Sequence, residues 1–280
     1  MAQTPPCRPF RLPIALFIWC LLLAPALAGC PERPMEPRSP TPGVFHFTVE
    51  SYNVEQHEWG NPVTVAAIGE ADADIVCLQE TTPHWREVIE KTYAAQYPYR
   101  LFHTRAESDA GGLAFLSRFP LHDLGVERAP MDWHPAWRVE VETPAGLLQI
   151  LNVHLRGPLN GRGNALRAWL AADADHLNEM KVFAMNIKAG VPTLVLGDFN
   201  EEDDGPSVQY LKGNGFTNVL SLFHPGQPTW RHRSLGGQFQ KTLDHILFDD
   251  GLLPLDAWIR RRGASDHMPV LGAFEWSAQP

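Results

Sequence analysis

Cysteine is scarce and poorly placed for cross-linking. The 280-residue chain has four, and Cys7, Cys20 and Cys30 all fall within its first thirty residues. Cys77 is left alone in the body, which excludes an internal disulfide framework there. Its setting, Ile75-Val76-Cys77-Leu78, predicts a buried apolar filler and not a reactive thiol. Basic residues are also short, with 23 Lys and Arg against 32 Asp and Glu, a formal charge of -9. That sign excludes a broad non-specific grip on nucleic acid, where Lys and Arg must displace the counterions of the phosphate backbone, but it leaves room for a hydrolase with a local basic rim. No His-Glu-x-x-His segment and no closely spaced cysteine pair is present, which argues against a zinc site. Internal repeats are absent too, so a solenoid is excluded.

What is present begins with an unusual N-terminus. Arg8 and Arg11 precede an apolar run from Leu12 to Ala28 that ends in small residues, the arrangement of a secretory signal. Leu27-Ala28-Gly29-Cys30 resembles the lipobox of bacterial lipoproteins, in which the cysteine becomes the lipidated N-terminus. Pro13 and Pro25 disfavour the alternative, an uncleaved membrane helix. The resemblance implies residues 1–29 as signal, a membrane anchor at Cys30 and a body outside the cytoplasm; Pro31 in place of Asp after the cysteine implies the outer membrane. Removing 1–29 takes away Arg8 and Arg11 and no acid, so the formal charge falls from -9 to -11. Five prolines between Pro31 and Gly43 predict an extended tether, able to reach roughly 40 Å at about 3.1 Å per residue.

From Val44 onward strand-like and helix-like segments alternate. Phe45–Val49 has period two; Asp74–Gln79 and Thr193–Leu196 are short continuous apolar runs; Asn164–Ala189 carries Leu166, Leu170, Leu177 and Met180 on a helical period. Strands are further predicted at 99–103, 113–117, 138–142, 147–154, 243–248 and 270–276, and helices at 63–73, 83–95 and 207–214. Some 230 residues mixed in this way, with hairpin-length turns, predict two mixed sheets packed face to face with helices outside: one α/β sandwich domain over 44–280, read as a monomer.

Polar residues gather at the strand ends. Glu80 closes one apolar strand, Asp198 another, Asp244 opens a third, and Asp266 stands just before a fourth. Brought together, four acids repel one another unless a cation or protons intervene. Oxygen ligands alone point to a hard cation, Mg²⁺ with Mn²⁺ or Ca²⁺ as alternatives, and a hard cation in a crevice suits a phosphate ester.

The segments Asn53, Gln79-Glu80, Asn152-Val153-His154-Leu155, Leu196-Gly197-Asp198-Phe199-Asn200, Leu243-Asp244-His245-Ile246 and Ser265-Asp266-His267-x-Pro269-Val270, in this order, resemble the endonuclease/exonuclease/phosphatase superfamily. The resemblance runs from about Val44 to Trp276. It implies a four-layer sandwich like that of deoxyribonuclease I and a metal-dependent phosphoric ester hydrolase. By position it implies Glu80 as principal metal ligand, with Asn53 as ligand or support and Asp266 completing the metal surroundings. Asp198 becomes the base for the attacking water, Asn200 a phosphate contact, Asp244 the partner that charges His267, and His154 the acid for the leaving oxygen. His245, one residue on from Asp244 in a strand, should face the other way and is left out.

Arg138 and the run Arg260-Arg261-Arg262 are candidate phosphate contacts, and Trp133, Trp137 and Trp230 are candidates for stacking on a base or touching lipid, although core packing explains any one of them as well. Glu201-Glu202-Asp203-Asp204, where inositol phosphatases of the superfamily carry Tyr-Arg, would repel a polyanionic inositol substrate, or is a solvated turn. Three functions follow: a cell-envelope nuclease acting on nucleic acid; a sphingomyelinase-like phosphodiesterase for phospholipid headgroups or a small-molecule phosphatase; and an idle binding module of the same fold.

Overall fold

Alternating residues at 45–49 become the start of β1 (His46–Asn53), with Phe47 and Val49 on one face and Tyr52 on the other. The computed structural model describes residues 33–106, 109–130, 134–157, 165–234 and 237–277; the signal, Cys30 and Trp133 lie outside them. Residues 34–280 form one compact unit. After β1 come α1 (Pro62–Gly69), β2 (Ile75–Gln79), α2 (Pro83–Tyr93), β3 (Tyr99–His103), β4 (Leu113–Ser117) and β5 (Leu121–Glu127). The chain continues through β6 (Ala136–Thr143), β7 (Gly146–His154), α3 (Ala165–Ala184), β8 (Thr193–Asp198), α4 (Pro206–Gly213), β9 (Thr217–Asn218) and α5 (Val219–Phe223). It ends with β10 (Trp230–Ser234), β11 (Gly237–Lys241), β12 (Asp244–Phe248), β13 (Leu252–Ile259) and β14 (Val270–Trp276).

Two six-stranded mixed sheets result, ordered β13-β14-β1-β2-β4-β3 and β5-β6-β7-β8-β12-β9, with β10–β11 as a separate hairpin. Their facing sides share one apolar core, from Phe47, Ile75 and Phe115 to Val139, Ile150, Leu196 and Ile246. A second core seats α1 and α2 on the first sheet through Ile68, Trp85 and Ile89, and a third seats α3 and α4 on the second through Met180, Phe183 and Leu211. The predicted four-layer α/β sandwich is the fold observed. Among the described residues no helix is long and apolar enough to cross a membrane.

Register sets the functional rim. β1 and β2 run parallel with Asn53 opposite Gln79, and β7 and β8 run parallel with His154 opposite Asp198. β12 runs antiparallel to β8, so its first residue, Asp244, also sits opposite Asp198. β14 runs antiparallel to β1 and begins at Val270 opposite Ser51, three residues after His267. The motif residues therefore converge at one end of the sandwich. Gly197 allows a close approach of two strands: at φ +139° it lies so near β7 that a Cβ there would stand 1.9 Å from the Val153 carbonyl oxygen.

Several segments differ from expectation for identifiable reasons. α1 stops at Gly69, short of Ala73, and α3 stops at Ala184, short of Ala189. β13 contains Pro254, which disguises it in sequence; it is the edge strand, irregular between Pro254 and Asp256, where a missing N–H does no harm. The proline-rich stretch is extended but not free. Met35 N–H donates to Leu222 O and Arg38 N–H to Leu255 O, both at 2.8 Å, while Arg38 Nη2 donates to Pro254 O and Thr41 N–H to Glu275 Oε2.

One buried polar link crosses between the sheets just below the rim. Gln79 Nε2 donates to Asn152 Oδ1 at 2.7 Å, and Asn152 Nδ2 donates to Leu78 O at 3.1 Å. Both residues are fully buried, so removing Asn152 takes from Gln79 its shortest hydrogen bond and leaves Ser51 Oγ, at 3.3 Å, as the next partner. Asn152→Ala is expected to destabilise the protein by about 1–3 kcal/mol, read as a fall in urea midpoint; a change of under about 0.5 kcal/mol, typical of a surface site, would remove this link from the account.

Candidate active site

Asp198, at the end of β8, is buried with 1% of its surface exposed, so its charge must be met by protein groups. Its Oδ2 accepts from Asn53 Nδ2 at 3.0 Å and from Asn200 Nδ2 at 3.3 Å; its Oδ1 accepts the Asn200 backbone N–H at 2.9 Å. Two imidazoles flank Oδ2, His154 Nε2 and His267 Nε2, each 3.5 Å away. Burial and the nearby Asp244 charge push the Asp198 pKa upward against the pull of the two histidines.

The histidines carry opposite protonation tendencies. His267 Nδ1 donates to both oxygens of Asp244 at 2.9 and 3.0 Å. Burial opposes a charge on His267, but Asp244 and Asp198 overcome it and raise its pKa to about 10. His154 is lowered instead, by burial first, with the His267 charge adding to it. Its Nδ1 lies 3.2 Å from Ala110 O and serves as the donor there, so neutral His154 keeps the lone pair on Nε2, toward Asp198.

Around this axis opens a cleft of about 370 Å³, lined by Glu55, Gln56, Glu80, His134, His154, Asp198, Asn200, Trp230, Asp266 and His267 among others. Glu80 and Asn200 sit at φ 60° and 51°, left-handed turns that aim each side chain off its strand end. Glu80 Oε1 accepts from Asn53 Nδ2 at 3.0 Å and Oε2 from Gln56 N–H at 3.1 Å. Trp230 Nε1 donates to Asp266 Oδ2 at 2.7 Å. Thr229 Oγ1 accepts the N–H groups of both Leu243 and Asp244, tying the start of β12 to the same loop.

The donor set fits a hard divalent cation. Glu55, Glu80 and Asp266 line one cleft, and the Glu55 pKa is raised, by burial first and then by the negative charges of Asp266, Glu58 and Glu80. An ion would relieve that repulsion. Asp198, Asp244 and His267 also bring three ligand atoms within 4.8 Å of one another. In that trio Nδ1 is already engaged by Asp244 and Nε2 faces Asp198, so it reads better as a charge-paired hydrogen-bond chain than as a cage for a metal.

Of the expected residues, Glu80, Asp266, His154, Asp198, Asn200 and His267 line the cleft, with Asn53 and Asp244 directly behind them. Asn53 bridges two carboxylates through its amide nitrogen, while its oxygen accepts the Glu55 N–H at 3.0 Å, which suits support more than ligation. Arg138 is a correction. It lies in mid-strand opposite Leu151, largely buried, its Nη2 3.4 Å from Glu127 Oε1, and it does not line the cleft. Arg260 and Arg262 pair with Glu70, and Trp137 is a core residue packed edge-on to Phe115. Sequence reasoning missed Glu55, whose only signal is its place two residues after Asn53, and His134, whose ring lies tilted against His154 with centroids 4.0 Å apart. Burial and the neighbouring His154 hold the His134 pKa down at about 3.

The chain belongs to the endonuclease/exonuclease/phosphatase family, whose model matches residues 51–267. Members of that family are phosphoric ester hydrolases and generally depend on a divalent metal. An inositol phosphosphingolipids phospholipase C of Saccharomyces cerevisiae is 29% identical over 149 residues, 46% of this chain and 30% of that protein, so the match spans under a third of the yeast enzyme. Among solved structures, an endonuclease/exonuclease/phosphatase from Beutenbergia cavernae has a TM-score of 0.64 at 16% identity, over 83% of this chain and 72% of that one. ANGEL2, a 2',3'-cyclic phosphatase in complex with adenosine-2',3'-vanadate, gives 0.62 at 16% over 86% and 99%. D. rerio TDP2 with a single-strand DNA product gives 0.62 at 16% over 82% and 98%. At such identities these structures establish the shared fold.

The charge on His267 depends on Asp244. A histidine whose folded pKa lies above its unfolded value adds stability that is fully present below about pH 6.5 and disappears as pH rises through about 10. Asp244→Asn is therefore expected to move the His267 titration, followed by NMR of its ring proton, from about 10 downward by several units and to erase that stabilising contribution near neutrality. A His267 that still titrates near 10 in the variant would refute the assignment.

Proposed function

We propose that the protein is a divalent-metal-dependent phosphodiesterase of nuclease type, held in the bacterial cell envelope through lipidated Cys30, by preference in the outer membrane. The observation that carries the diesterase reading is the pair of imidazoles, one cationic and one neutral, meeting the same buried Asp198 oxygen from two sides. Cleaving a diester requires a proton taken from the attacking oxygen and another given to the leaving one. Asp198, its pKa raised, serves as the base. His267, carrying its proton at neutral pH, presents positive charge to the phosphoryl oxygens, and Asn200 positions them. His154, neutral in the free protein, gains proton affinity when the anionic ester docks beside it, takes a proton from solvent onto Nε2, and gives that proton to the leaving oxygen.

Glu80, with Asp266 and Glu55 across the cleft, would hold the ion, Mg²⁺ first and Mn²⁺ or Ca²⁺ as substitutes. When bound, it supplies Lewis-acid charge that stabilises the developing negative charge on the phosphate. A second reading, hydrolysis of phospholipid headgroups, is supported by the yeast phospholipase C relative and by the lipobox. An idle binding module has less support, because a binder does not need four acids assembled at electrostatic cost.

Full-length protein incubated with plasmid DNA, RNA and sphingomyelin or phosphatidylinositol vesicles tests both readings. Nicked or shortened nucleic acid, with activity abolished by chelator and restored by Mg²⁺, is expected. Headgroup release with nucleic acid untouched would transfer the assignment to the second reading, and chelator-insensitive turnover would sink both. Asp198→Ala should lower turnover by about 10³-fold without unfolding the protein. For the anchor, Cys30→Ser is expected to move the protein from the membrane fraction to the soluble one; unchanged membrane retention would count against lipidation.

A further inference from the structure

Behind the cleft, on the helical side of the second sheet, α3 carries a histidine that the chemistry above leaves unused. His176 is buried, with 1% of its surface exposed. Its Nε2 lies 2.7 Å from the Arg156 carbonyl oxygen and its Nδ1 lies 3.2 Å from Glu201 Oε2. Both partners are pure acceptors, so both ring nitrogens must donate, and only the imidazolium can do so. The carboxylate of Glu201, also buried, supplies the countercharge.

The two partners belong to different functional loops. Arg156 stands two residues after His154, and Glu201 directly follows Asn200. These loops are already stitched at the rim: Leu155 N–H donates to Asp198 O at 2.9 Å, and Asn200 Nδ2 donates to Leu155 O at 2.8 Å. His176 closes the stitch from behind. Other contacts leave Glu201 little freedom, since its Oε1 accepts the Val208 N–H at 2.8 Å and His245 Nε2 donates to its carbonyl oxygen at 2.9 Å. A Cβ at residue 205 would strike the Glu201 side chain at 2.6 Å, so Gly205 is what lets it in. On the other side, Arg156 Nη1 pairs with Asp175 Oδ2 at 2.7 Å, a second grip by the same helix.

We propose that His176 is a positioning residue for the phosphodiesterase reaction: as a buried imidazolium it fixes the His154 loop against the Asp198–Asn200 loop, and so holds acid and base at their working separation. The inference rests on the functional reading above. The charged groups facing His176 are Glu201 from the loop after β8, Asp175 and Glu179 on α3 itself, and Arg156 from the loop after β7. Burial opposes its charge, but Glu201 and the Arg156 carbonyl outweigh that and raise its pKa. Burial pushes the Glu179 pKa up to about 7.

The test begins with the ¹⁵N spectrum of the histidine rings in full-length protein at pH 7.5. Both His176 nitrogens are expected to be protonated; a neutral ring overturns the proposal whatever the activity. His176→Gln, which cannot donate in both directions at once, should lower kcat on a phosphodiester by about 10- to 100-fold while KM stays within about twofold. A KM effect alone, or no effect, overturns it. His176→Phe combined with Glu201→Met replaces the buried ion pair by apolar volume and should recover much of the melting temperature without recovering kcat. If kcat returns together with stability, His176 only supports the fold. Should wild-type protein cleave no phosphodiester at all, the functional reading fails, and the ring spectrum still decides whether the imidazolium exists.

Discussion

A carboxylate kept from water is the constraint on which the rest of this structure turns. Asp198 lies at a strand end, yet nearly all of its surface is covered, so every group around it must answer its charge. Two amides and the His267 imidazolium do so, and the second acid, Asp244, is balanced by that same ring between them. Such an arrangement tolerates little displacement. It is held by parallel register between β7 and β8, by antiparallel register between β8 and β12, and by the absence of a side chain at Gly197.

The same constraint explains what could be read from the chain in advance. The motifs at 53, 80, 198, 244 and 266–267 were legible because each sets a polar group at or just beyond one end of a short apolar strand, a local pattern that survives folding. Two packed mixed sheets with helices outside followed from alternation and run length, and the family resemblance implied the four-layer sandwich. What escaped depends on tertiary context. β13 was hidden by Pro254, which only its edge position tolerates, and the β10–β11 hairpin has no apolar face to announce it. Glu55 joins the cleft through a left-handed turn at φ 58°, which leaves no periodic trace. Arg138 misled because a lone arginine near a motif carries no sign of the acid it will meet; Glu127 is eleven residues away and comes alongside only when β5 pairs with β6.

The acidic run after Asn200 shows how far a charge pattern can deceive. Read as a loop, it suggests either a solvated turn or a barrier to anionic substrates. In the fold its members are separately employed: Glu201 is buried against α3 and α4, Glu202 pairs with Lys241, and Asp203 receives bonds from Lys212 and Asn218. Burial works against the ionised form of Asp203, yet those bonds keep its pKa below the usual carboxylate range. Two histidines facing away from the cleft, His176 and His245, share the task of fixing residue 201. The catalytic rim is thus built on a scaffold of charges that takes no part in the chemistry.

The strap from Met35 to Thr41 has a different consequence. It lies along β13, the terminal strand of its sheet, and occupies backbone acceptors there through Arg38. Proline-rich chain is poorly suited to recruiting a further strand of its own. The segment therefore works as a selvedge, holding the Pro254 and Leu255 carbonyls that the edge strand would otherwise present. Trimming the chain back to Val44 would leave that margin bare.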